Sequence, residues 1–282
     1  MYFSSPAQNV PVNVPATGAV SPPRATVTDA AYLLVIHGSR DPRPLTAAQQ
    51  LADQVAQQLS AWVSPLPLVE VACLELAALP LHQQIMAFGD RALQAGYTTL
   101  VIVPLFLLPG VHVCEDIPEE VAIAQTMLSQ GITVQLHPYL GQAIGMGDMV
   151  ARQLQPIAQG TQDTPTTPIL LAHGSRRPGG NQPIEAIASQ MTAIPAYWAV
   201  SPTLDEQIHQ LAQQGIRHIT VLPYFLFPGA ITDGIAEKIG EMGDRYPHLT
   251  LALGQPLGHY PEMVSLLISH LTRSTNRENS ME

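Results

Sequence analysis

Histidine, glutamate and arginine recur just after apolar runs, where a folded chain could use them for chemistry. LLVIHGSRDPRP brings His37 to the end of one run, and LLAHGSRRPGG brings His173 to the end of another, 136 residues later. VACLELA carries Glu75, and VIVPLFLLPGVHVCEDIP carries His112. Neutral imidazole binds divalent iron, cobalt, nickel or zinc and accepts protons near neutral pH. A carboxylate beside it can complete a metal site or take a proton. Two histidines and a glutamate leave coordination positions vacant, which suits either the transient holding of a metal or a hydrolytic zinc; the ligand set alone does not choose.

The loops after His37 and His173 hold Arg40, Arg43, Arg176 and Arg177, four of the twelve basic residues in a chain of net charge −10. Such a local concentration suggests an anionic ligand, polycarboxylate or phosphate, gripped by guanidinium forks and helix N-terminal amides. The plainer alternative is that these arginines solvate loops, with Asp41 neutralising part of the first cluster. Ser39 and Ser175 follow His-Gly without the G-x-S-x-G turn of a hydrolase nucleophile, so a backbone or capping role is expected, although Ser39 stays among the candidate substrate contacts. No phosphate-cradling P-loop is present. Cys73 and Cys114 flank the candidates but read as buried, inert thiols, and the remaining histidines, His82, His137, His209, His218, His248, His259 and His270, read as surface or capping residues.

Composition narrows the classes. With 12% charged residues and a negative balance there is no basic face for nucleic acid. The longest apolar stretch, 100–114, is broken by Pro104, Pro109 and Gly110 and is too short to span a bilayer. Two cysteines make neither a disulfide framework nor a C-x-x-C metal pair, so a cytoplasmic, soluble protein is expected. Residues 1–29, rich in Pro, Ala, Val, Ser and Thr, read as a disordered tail, and so does the polar 273–282.

The elements that must position these residues repeat. Residues 104–118, PLFLLPGVHVCEDIP, return 119 positions later as PYFLFPGAITDGIAE, and His37 matches His173. Strands are predicted at 31–36, 68–75, 98–105 and 132–137, with helices near 44–60, 80–95, 115–130 and 144–157; the second set of strands falls at 168–172, 195–199, 217–225 and 248–253. This alternation predicts an α/β protein of two similar domains, 30–154 and 168–272, each a small doubly wound parallel sheet, joined by a linker at 155–167. The second domain is shorter, in part because the helix before its third strand lacks four residues. Aligned through Ile85 and Ile208, Glu75 faces Trp198; the 119-residue repeat sets His112 against Ile231. In an open parallel sheet, ligands sit beyond the carboxyl ends of the strands near the point where strand order reverses, so a 2-1-3 order would bring His37, Glu75 and His112 to one rim. A histidine needed only for folding would be needed in both copies. His112 is present in one, which marks it as functional.

The quoted segments resemble the sirohydrochlorin chelatase family, the class II chelatases that insert cobalt or iron into a tetrapyrrole, and the likeness spans roughly residues 30–272. The PLFL…G.H…DIP pattern is its most specific part. The resemblance implies a fused two-domain form in which His37 and His112 are the metal-handling and proton-accepting pair and Glu75 assists. It also implies sirohydrochlorin as the partner, its carboxylates met by Arg40, Arg43, Arg176 and Arg177. No cofactor is implied beyond the substrate metal ion, Co²⁺ or Fe²⁺. The second domain would close the cleft without being a second catalytic centre, His173 counting among its substrate contacts, and the chain would act as a monomer, a fused pseudo-dimer. A non-catalytic tetrapyrrole or metal carrier and a mononuclear metal-dependent hydrolase are the alternatives.

Overall fold

A computed structural model describes residues 30–61, 67–128, 130–159 and 166–278. The expected tail at 1–29 and residues 160–165 of the expected linker lie outside the described residues. β1 (Ala30–Ile36) is apolar throughout because both of its faces are covered. The period of two sends Ala31, Leu33 and Val35 into an outer core with Leu81, Ile85, Phe88 and Ile117, while Tyr32, Leu34 and Ile36 point into an inner core.

The chain continues through α1 (Arg43–Leu59), β2 (Val69–Cys73), α2 (Leu81–Gln94), β3 (Thr99–Pro104), α3 (Ile117–Met127), β4 (Thr133–Leu136) and α4 (Met146–Gln159). The second half follows as β5 (Thr167–Ala172), α5 (Gln182–Gln190), β6 (Ile194–Tyr197), α6 (Leu204–Gln213), β7 (His218–Pro223), α7 (Ala230–Arg245), β8 (Thr250–Leu253) and α8 (Glu262–Glu278). All pairings are parallel, with orders β2-β1-β3-β4 and β6-β5-β7-β8. In each sheet the strand order therefore reverses between the first and third strands, opening a crevice at their carboxyl ends. α6 has 10 residues against the 14 of α2, the expected missing turn. It opens on a capping box in which Thr203 and Glu206 satisfy each other's backbone amides.

The halves are less separate than the sequence suggests. The last helix of each crosses over: α4 packs against β5 and β7 of the second sheet, and α8 against α1 of the first half. One inner core thus draws Leu34, Leu51 and Val55 together with Met149, Leu170, Leu222 and Leu267. α4 runs to Gln159, two residues past the expected helix end at 157 and into the expected linker, and α8 runs to Glu278, into the stretch expected as a tail. Across the same seam lie His137 and His270, expected as surface residues but buried, their rings T-shaped with centroids 4.4 Å apart. Both donate to the Pro138 carbonyl, at 2.9 Å each. No helix among the described residues is long and apolar enough to cross a membrane.

Candidate metal centre

β1 ends at Ile36, so His37 is the first residue of the rim, half exposed. Gly38 follows at φ +97°, and a side chain there would place its Cβ 1.9 Å from the Glu75 carbonyl oxygen, so only glycine permits the turn. The close approach comes from the ladder continuing past β2: the Glu75 amide donates to the His37 carbonyl at 2.8 Å. Glu75 lies two residues beyond Cys73, where β2 ends, and not on the strand as expected. Its Oε2 is 3.9 Å from His37 Nε2.

His112 arrives differently. It opens a π-helical turn, His112–Asp116, that runs into α3. The Ile117 amide reaches back five residues to the His112 carbonyl, and Pro118, without an amide proton, cannot make the next α-type bond. The His112 and His37 rings meet edge-on at 4.8 Å between centroids, and Phe106 lies 6.2 Å from the His112 ring. One ligand atom from each of His37, Glu75 and His112 falls within 4.8 Å of the others.

Both imidazoles are oriented through Nδ1. His37 uses it on the Gly38 carbonyl at 3.0 Å, and His112 on Asp116 Oδ2 at 2.6 Å. With the proton on Nδ1, each Nε2 lone pair is free to bind a cation, and a carboxylate behind a ligand histidine raises its basicity. Asp116 was not among the sequence candidates. Its signal was the i,i+4 spacing in HVCED, readable only once a helix is assumed there.

The other candidates divide. Arg40, Arg176 and Arg177 are exposed on the loops after β1 and β5. Arg43 is not free for an anionic ligand: Asp41 and Asp233 occupy its guanidinium. Ser39 Oγ accepts the Asp41 amide at 3.0 Å, and Ser175 Oγ the Arg177 amide at 3.1 Å, matching turns in both loops. Cys114 is exposed, contrary to the buried thiol expected, while Cys73 is half-buried and burial pushes its thiol pKa up. A cavity of about 550 Å³ opens between α1 and the loops after β7 and β8, lined by Gln50, Gln54, Gln57, Gln58 and Gln255. No lysine, arginine or carboxylate lines it, and the three metal-site residues lie elsewhere.

In the second half His173 repeats the geometry of His37, with Nδ1 3.0 Å from the Gly174 carbonyl. The residue whose amide reaches the His173 carbonyl is Ala199, so Ala199 is the counterpart of Glu75. Trp198, the expected counterpart, corresponds to Leu74; its indole packs on Gly234 of α7, away from the position Glu75 holds in the first half. Ile231 does occupy the place of His112 and packs in the outer core of the second half.

The CbiX family model matches residues 31–157 and again 167–274. The chain belongs to the CbiX family. Two matches in one chain agree with the two similar sheets. A sirohydrochlorin ferrochelatase of Priestia megaterium is 26% identical over 252 residues, covering 86% of this chain and 90% of that protein. A sirohydrochlorin cobaltochelatase of the same organism is 23% identical over 253 residues, covering 83% and 76%. Among solved structures, SirB from Bacillus subtilis with Fe³⁺ superposes with a TM-score of 0.69 at 23% identity, covering 89% of this chain and 98% of SirB. As a CbiX-family fold, the chain has the two-domain chelatase architecture expected from its sequence.

Proposed function

We propose that this chain is a sirohydrochlorin chelatase, inserting Co²⁺ or Fe²⁺ into the macrocycle for cobalamin or sirohaem synthesis. The observation that carries the reading is the gathering of His37, Glu75 and His112 on one rim. Relatives named for both metals support it, and the imidazole donors suit either, since selectivity at such sites follows supply and geometry more than raw affinity.

The residues divide the work as follows. His37 and His112 hold the entering cation through Nε2 on one face of the macrocycle. Metal insertion breaks two pyrrole N–H bonds. Glu75 takes one proton, and an imidazole released from the metal takes the other, so charge balances as the dication enters. Asp116 fixes the tautomer and direction of His112. Arg40, Arg176 and Arg177, with Ser39, meet the substrate carboxylates, and the half bearing His173 closes the cleft. The chain would act as a cytoplasmic monomer with no cofactor beyond the metal it inserts.

The test is spectroscopic. Protein, sirohydrochlorin and Co²⁺ or Fe²⁺ are mixed and the free-base absorption bands followed. Multiple turnovers per chain are expected, whereas binding that stops at one equivalent without faster conversion makes the protein a carrier. Competition between the metals assigns the pathway.

A further inference from the structure

Arg43 sits six residues after His37, at the start of α1, and its guanidinium is shared between two carboxylates from different halves. Nη1 and Nη2 donate to Oδ1 and Oδ2 of Asp233 on α7, at 3.0 and 2.5 Å. Nε and Nη2 donate to Asp41, and the Arg43 amide also reaches Asp41 Oδ1. Gly229, the N-cap residue of α7, faces Pro44 and Asp41, so the start of α1 in one half and the start of α7 in the other meet along this line. Arg43 holds both carboxyls below the usual carboxylate range.

The arrangement is made once. At the corresponding places the chain has Gly179 for Arg43 and Cys114 for Asp233, so the mirrored contact cannot form. An exposed pair of this kind contributes little to global stability. A bidentate fork gripped from two sides fixes direction, however, and what it fixes is the loop that starts at His37.

We propose that Asp233 is a positioning residue lent by the second half: through Arg43 it holds the β1–α1 loop, and with it His37 and Arg40, in register with the cleft. The inference rests on the chelatase reading for its kinetic consequences, though not for its structural ones. Because two carboxylates outweigh the single Arg43 charge, removing one should leave the cleft more positive. Asp233→Asn should therefore lower kcat about tenfold while the KM for sirohydrochlorin stays level or falls. A variant that is merely less stable would lose active protein without that split.

The experiment measures insertion kinetics and amide exchange in the full chain for Asp233→Asn, Asp233→Glu, Arg43→Gln and the Arg43→Gln, Asp233→Asn double variant. Faster exchange in 38–43 and 229–233 is expected for Asp233→Asn, recovery for Asp233→Glu, and a double variant no worse than the singles. Unchanged exchange in both loops overturns the proposal. So does a large rise in KM for Arg43→Gln with kcat intact in Asp233→Asn, which would return Arg43 to substrate binding. If the wild-type chain inserts no metal, the chelatase reading fails, and the exchange data alone decide the clamp.

Discussion

At the rim of the first sheet His37 faces Glu75 across 3.9 Å with His112 edge-on beside it; in the second half Ala199 stands where Glu75 does, and Ile231, where His112 does, packs into the outer core. The turn after the histidine is the same in both. Gly174 turns at φ +84° as Gly38 does at +97°, and in each half the amide two residues beyond the second strand reaches the histidine carbonyl. The His-Gly-Ser motif is therefore a requirement of the turn, met twice, while the acid and the second imidazole are extras that one half carries. Duplication preserved the scaffold and left the polar set on one side.

Breaking this contrast should have its largest effect at His112. His112→Ile copies the second half and is expected to lower metal insertion about a thousandfold with an unchanged circular dichroism spectrum; near-normal turnover would remove His112 from the site. Glu75→Gln keeps the shape but not the proton acceptor, and a loss of about a hundredfold in kcat is expected in the same assay. Asp116→Asn leaves a partner for His112 Nδ1 without the charge and should weaken Co²⁺ binding about tenfold, read by titration of the metal alone.

The seam between the halves gives a pH test. Burial lowers the His137 pKa from 6.5 to about 4 and lowers that of His270 as well, so the unfolded chain binds more protons than the folded one below the ordinary imidazole value. Stability is then fully present above pH 6.5 and is lost progressively down to about pH 4, by on the order of 3 kcal/mol for His137. Denaturant unfolding at several pH values should show this slope, and His137→Phe should flatten it. The smallest effect is expected for His173→Ala: with no acid or second imidazole beside it, activity within about twofold of wild type would sharpen the contrast, and a large loss would end it.

Much of the architecture was legible in the chain. Short unbroken apolar runs such as YLLVI, ended by glycine or proline and alternating with amphipathic stretches, read as strands covered on both faces and joined by parallel crossovers, so strands were placed within a residue or two. His37, Glu75 and His112 could be assembled from the rule that parallel sheets bind ligands at their carboxyl rim. Trp198 could not be placed, because an alignment carried through helices of 14 and 10 residues has no fixed register, whereas backbone hydrogen bonds across a parallel ladder do.

By itself the sequence determined the duplicated α/β scaffold, the glycine turns and the loss of two polar groups from one copy, since these follow from local pattern and the short-range sterics of the backbone. The tertiary structure alone decided partnerships across distance. Arg43 and Asp233 are 190 residues apart, and His137 meets His270 only because the last helix of each half packs on the other. Charge and burial are properties of neighbourhoods in space, and an amino-acid order states those only after it has folded.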